Sequence, residues 1–87
     1  MNILPTFDSY VYDNNYGTNA MRFYYENKTI YFSYKTIVAF NTAQSGLVCR
    51  QNDWSTTTGK HLNAIQPDKS KRVSSDEFEK LCEKYLK

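Results

Sequence analysis

The stretch whose residue types come nearest to a chemical site is Thr57-Thr58-Gly59-Lys60-His61. A Gly-Lys pair opening a helix is the core of a phosphate-binding loop, in which backbone amides and the lysine cradle phosphates. The complete loop needs a glycine five residues before the Gly-Lys pair and a Ser or Thr after the lysine. Those positions hold Trp54 and His61, so a nucleotide loop of that type is excluded. A looser anion site built from Thr57, Thr58, Lys60 and His61 stays open. The plainer role, with the threonines capping a helix and Lys60 in water, is the expected one. His61 is the only histidine, and the two cysteines, Cys49 and Cys82, are far from each other in sequence. A metal site needs three or four ligands at recognisable spacing, so no metal and no cofactor is expected. A Cys49–His61 nucleophile–base pair would need an acidic group to orient the imidazole, and none is evident. The expectation is a protein that is not an enzyme.

A second set of residues mixes aromatic and basic side chains: Arg22, Tyr24, Tyr31, Tyr34, Lys35, Arg50 and Trp54. Aromatic rings on a sheet can stack bases while Arg and Lys hold phosphates. The same rings can instead form the core and outer face of a small sheet, which is the expected role. Trp54 lies in the polar run Gln51-Asn52-Asp53-Trp54-Ser55. There it is expected to anchor the loop onto the sheet, the alternative being an exposed binding hot spot.

These residues must be positioned by a mixed α+β domain. Residues 20–25, 29–34, 36–40 and 47–51 read as four strands. Asn27 suits a tight hairpin turn in Glu26-Asn27-Lys28, and 43–46 is a second turn. Thr36-Ile37-Val38-Ala39-Phe40 is apolar on both faces, as a central strand would be. Short connections pair consecutive strands as an antiparallel meander. Tyr10-Val11-Tyr12 is a weaker strand signal, 13–17 reads as a turn, and residues 1–15 are expected to be loosely ordered. A short helix begins among Ser55-Thr56-Thr57-Thr58, has Leu62 and Ile65 on its inner face and ends before Pro67, with Gly59 weakening it. Residues 68–72 read as a charged loop. The closing helix is the best marked. Ser74 and Glu77 form a capping box, acids fill its first turns, and Phe78, Leu81, Cys82, Tyr85 and Leu86 make one apolar stripe. That stripe should lie on one face of the sheet.

Eighty-seven residues suffice for one domain, and a domain of this size buries only about 60–65% of its unfolded surface. Eight Tyr, five Phe and one Trp supply the large side chains this requires. The net charge is +2, with a mildly basic middle and far from the footprint of a dedicated nucleic-acid binder. No apolar run is long enough for a membrane span. The first ten residues lack the features of a secretory signal, so the expected compartment is the cytoplasm and the two thiols are expected to be free.

Several runs stand out together: Tyr16-Gly17-x-Asn19-Ala20, Tyr31-Phe32-Ser33-Tyr34-x-Thr36-x-Val38-Ala39-Phe40, Gly46-Leu47-Val48-x-Arg50-x-Asn52-x-Trp54-Ser55-x-Thr57-Thr58-Gly59-Lys60-His61-Leu62-Asn63, and Glu77-Phe78-Glu79. On these the chain resembles a family of small uncharacterised proteins of phages, plasmids and related mobile elements. The resemblance implies context and no mechanism. It draws attention to residues 54–63 and sets the candidate binding residues as Arg50, Asn52, Trp54, Thr57, Thr58, Lys60, His61 and Asn63, with Arg22, Tyr31, Tyr34 and Lys35 from the basic and aromatic set. It implies a binding module acting on a host macromolecule, a protein or protein–nucleic-acid complex, of which a defence-system inhibitor of the anti-CRISPR type is one concrete form. Direct nucleic-acid binding is the alternative from the residues themselves. An uncovered Tyr-rich sheet face would serve equally as a homodimer interface.

Overall fold

The computed structural model describes residues 6–10, 20–53 and 56–86, with the backbone only at 56 and 57. Five antiparallel strands follow one another in space in chain order: β1 (Thr6–Ser9), β2 (Ala20–Tyr25), β3 (Lys28–Ser33), β4 (Thr36–Thr42) and β5 (Gly46–Cys49). Helix α1 (Thr56–Ile65), a 3-10 turn (Lys69–Lys71) and helix α2 (Ser75–Tyr85) complete the chain. The meander expected from the short connections is present, with one strand more than the four expected. The added strand, β1, lies inside the stretch expected to be loosely ordered. Thr-Phe-Asp-Ser has a single apolar residue and no local strand signal. It is held by tertiary contacts, with Phe7 on Phe23 (ring centroids 5.9 Å) and Arg22 bonded to Asp8 (2.9 Å). The weak strand signal at 10–12 and the turn at 13–17 fall largely outside the described residues.

The hairpins follow local chemistry. Glu26 (φ 50°) and Asn27 (φ 67°) are both left-handed between the paired Tyr25 and Lys28, the pattern of a two-residue type I′ turn. The β3–β4 turn is Tyr34-Lys35, between the paired Ser33 and Thr36. Tyr34 was expected in a strand beside Ile30 and Phe32. It sits instead at φ 57° in the turn, half exposed. A left-handed non-glycine residue costs about 1–2 kcal/mol, which the hairpin supports by placing the Tyr34 ring 6.0 Å from that of His61.

β4 is the strand on which the fold is built. Val38, Ala39 and Phe40 are all fully buried. The ladder shifts register between Tyr31 and Phe32, where Ala39 and Ile37 are the partners and Val38 is the extra residue. Such a bulge bends the strand, and Val38 and Ala39 join Cys49 and Leu62 in one buried cluster. Phe40 points the other way, as alternation requires, and meets Phe78 (5.6 Å) and Tyr85 (6.3 Å) of α2. A helix therefore lies on each face of the sheet at β4. The expectation of one covered face holds for α2, but the opposite face is not left open there, because α1 takes it.

The starts of α2 and of the 3-10 turn are tied down. Ser74 accepts from the Glu77 amide at 3.3 Å, the bond expected of the capping box. Residues 68–72, expected as a loop, form the 3-10 turn, capped by Asp68, which accepts from the Ser70 amide (3.0 Å) and hydroxyl (2.6 Å). Val73 then bonds to both sides of the β5 end, giving its amide to Cys49 (2.8 Å) and accepting from that of Gln51 (2.8 Å).

Candidate functional site

On α1 the residues Thr58, His61, Leu62 and Ile65 recur at helical spacing and turn toward the sheet, the first three buried and Ile65 half-buried. Two of the candidate binding residues thus lie inside the helix–sheet interface. Ser33 Oγ on β3 sits 2.7 Å from His61 Nδ1 and 3.1 Å from Thr58 Oγ1. The His61 ring is fully buried and flanked by the rings of Tyr10 (6.2 Å) and Tyr34 (6.0 Å). Tyr10 also packs edge-on against Tyr31 (5.3 Å) and gives its hydroxyl to the Phe32 carbonyl (2.8 Å). Burial raises the Tyr10 phenol well above its ordinary range. A shallow depression of about 240 Å³ opens beside this network, lined by Ser33, Tyr34, Thr36, Val38 and Thr58.

Cys49 belongs to the same buried layer. Its thiol is directed at the Arg50 carbonyl (3.6 Å), and both cysteines are free, as expected. Burial pushes the Cys49 thiol up to about 11. At pH 8 only about one molecule in a thousand carries the thiolate that attacks electrophiles. Iodoacetamide should therefore modify Cys49 at pH 8 only after unfolding, read by mass spectrometry of digests with and without urea; modification at the free-thiol rate in the native protein would contradict this environment. The folded state binds the thiol proton more tightly than the unfolded chain. This contribution to stability is complete below pH 9 and is lost as pH rises toward 11.

The remaining candidates are distributed over the molecule. Arg50 is bound to the start of α2. Its Nη2 reaches Ser75 Oγ (2.5 Å) and Asp53 Oδ2 (3.3 Å), its guanidinium lies over the Phe78 ring (5.6 Å), and the Ser75 hydroxyl donates to the same Asp53 carboxylate. That hydroxyl and then Arg50 hold the Asp53 carboxyl below its ordinary range. Arg22 pairs with Asp8 and lies 4.8 Å above the Tyr24 ring. Tyr31 is half-buried against the α1 cluster. Tyr34 and Lys35 stand at the tip of the β3–β4 hairpin, and Lys60 is on the outer face of α1. Of the described basic and aromatic residues of the middle segment, Arg22, Tyr24 and Tyr31 are neighbours on β2 and β3, while Tyr34 and Lys35 stand at the hairpin tip and Arg50 is bonded at the start of α2. Trp54 and the Thr57 side chain lie outside the described residues.

Asn52 and Asn63 do come together. With Gln51, Gly59, Lys69 and Arg72 they line a cleft of about 380 Å³ between the end of β5, α1 and the 3-10 turn, within the size range of small-ligand sites. Gly59 lies close against this wall: a Cβ there would be 3.0 Å from Asn52 Nδ2, so the Asn52 side chain would have to give by a few tenths of an ångström. Arg72 forms the inner wall and is only 9% exposed. Its Nε and Nη2 both donate to the Gln66 carbonyl (3.0 and 2.9 Å), and Nη2 also donates to Asn63 Oδ1 (2.9 Å). All three bonds are to neutral acceptors. Among the described residues no carboxylate forms an ion pair with Arg72, and none lines the cleft. A buried charge is ordinarily paired, so this wall presents uncompensated positive charge to the cleft.

Sequence reasoning missed Lys69 and Arg72, which read as members of a solvated charged loop. The one local signal is Asp68-Lys69-Ser70, which caps the 3-10 turn; nothing local marks Arg72 for burial. No group of His, Cys, Asp and Glu among the described residues could hold a metal ion. No helix of the described chain is long and apolar enough to cross a membrane.

No curated protein and no solved structure matches this sequence. A family model does match residues 5–80, which include β1, the cleft and most of α2, and the chain therefore belongs to that family of unknown function, DUF8033.

Proposed function

We propose that this protein is a non-enzymatic binding module that engages an anionic surface of a macromolecule through the cleft between β5, α1 and the 3-10 turn. The observation that supports it most is Arg72, buried, bonded only to neutral acceptors and set in a wall without carboxylates. Asn63 contributes an amide group, and Lys69 adds a second positive charge at the exposed rim. The resemblance to phage and plasmid proteins supports a partner in the host cytoplasm, a protein or protein–nucleic-acid complex, with inhibition of a defence system of the anti-CRISPR type as one form of that role.

Affinity capture from host lysate tests this with the wild-type chain beside Lys69→Glu. The wild type should retain a specific partner that elutes as salt is raised, because exposed charges are screened at the Debye length. Lys69→Glu should weaken the isolated complex by about tenfold or more, since like charges opposed across an interface cost several kcal/mol. Equal retention of the partner by both proteins would rule out the cleft as the contact surface.

A further inference from the structure

The donors left over around Arg72 indicate which kind of anion the cleft takes. A guanidinium has five N–H groups and no acceptor. Carboxylates are read best when two parallel N–H groups point along one edge of its plane. Arg72 has two such edges, and both are partly used. The edge formed by Nε and Nη2 is closed by the Gln66 carbonyl, which accepts from both. On the edge formed by Nη2 and Nη1, the Nη2 hydrogen goes to Asn63 Oδ1. The two N–H groups of Nη1 make no hydrogen bond among the described residues. Nη1 is also not sealed from solvent, as a buried donor without a partner would be. A planar carboxylate thus finds no complete two-point edge on this arginine.

The bond to Arg72 also sets the Asn63 amide. Only Oδ1 can face a group that is all donor, so the Nδ2 donors of Asn63 turn away from Arg72. Asn63 lines the cleft, as do Lys69 and Gln51, both exposed. These donors come from three elements: the β5 end, α1 and the 3-10 turn. Donors drawn from three separate elements suit an anion whose oxygens point in different directions.

We propose that the cleft is a phosphate site, in which a tetrahedral phosphate seats one oxygen on Arg72 Nη1 and others on Lys69 and the Asn63 amide. This deepens the binding-module proposal and rests on it for the use of the cleft. The phosphate can come from a terminal monoester, as in a nucleotide, or from an internal diester of a nucleic-acid strand.

The test is a titration of the full chain, labelled with nitrogen-15, by inorganic phosphate and by acetate at matched pH and ionic strength. Phosphate should move the side-chain resonances of Arg72 and Asn63 and the amides of 69–72 saturably, and acetate should move them less at every concentration. Lys69→Gln, at an exposed position, should weaken phosphate about two- to fivefold with the fold intact, the range of an exposed charge contact. Adenosine monophosphate binding more tightly than a short deoxythymidine oligonucleotide assigns the source to a terminal phosphate, and the reverse order assigns it to a diester; both uphold the site. Acetate binding as well as phosphate, or shifts spread over all basic side chains and indifferent to Lys69→Gln, would overturn it. A phosphate response that is absent while partner capture still depends on Lys69 removes the phosphate site and keeps the binding module. A phosphate response that is present while capture ignores Lys69 does the opposite.

Discussion

Phe78→Ala should lower the unfolding free energy by about 3–5 kcal/mol, the range for removing a buried aromatic ring. Phe78 is 2% exposed, packs in a tilted contact at 5.6 Å against the fully buried Phe40 of β4, and has the Arg50 guanidinium 5.6 Å from its ring. Its loss leaves a void where α2 meets the buried part of β4, and takes from Arg50 the ring its guanidinium lies over. A domain of 87 residues is stable by only about 4–13 kcal/mol, at roughly 0.05–0.15 kcal/mol per residue. The substitution should therefore leave a much weakened domain, with a melting temperature lower by about 12 °C or more. Phe78→Leu, which keeps most of the volume, should recover the larger part. Urea unfolding monitored by circular dichroism reads both. A loss below about 1 kcal/mol for the alanine variant would show that α2 does not rest on Phe40 as described.

The second large effect is expected at His61. His61→Ala should cost about 2–4 kcal/mol, adding an imidazole-sized void to a buried hydroxyl that loses a hydrogen-bond partner. Ser33 Oγ would keep only Thr58, and the Tyr10 and Tyr34 rings would lose the ring between them. His61→Asn places a polar atom close to where Nδ1 stands, so it should restore about 1 kcal/mol relative to alanine, within the range of a typical net hydrogen bond. The pair of variants separates a structural imidazole from a ligand-binding one. Stability that falls as stated, with anion binding retained by the folded fraction, assigns His61 to the interior. Unchanged stability with lost binding would move it to the site.

The segment around Gly59 shows how far local pattern reaches. Thr-Thr-Gly-Lys-His looks like an anion loop because its residue types are those of one. Two of its members, Thr58 and His61, fall at helical spacing on the stripe that faces the sheet, where Thr58 Oγ1 and His61 Nδ1 meet Ser33. The spacing was legible; the presence of a serine opposite was not, since Ser33 is 28 residues away from His61 in the chain. Gly59 weakens the helix by intrinsic preference, and its reason is tertiary, the Asn52 side chain that a Cβ would touch.

Features that depend on neighbours along the chain are legible in the order of residues. The Ser74 cap, the apolar stripe of α2, the left-handed Asn27 turn and the doubly apolar β4 all follow from residues within a turn or a strand length of one another, and all are present. The packed fold set what depends on residues brought together from a distance. It added β1, whose single apolar side chain counts only once Phe23 lies beside it. It placed a helix on each face, bulged β4 at Val38, and turned Tyr34 out of the sheet. It also buried Arg72, because the free energy of a buried charge is set by the Gln66 carbonyl, the Asn63 amide and the open cleft around it. No periodicity in the chain encodes that environment.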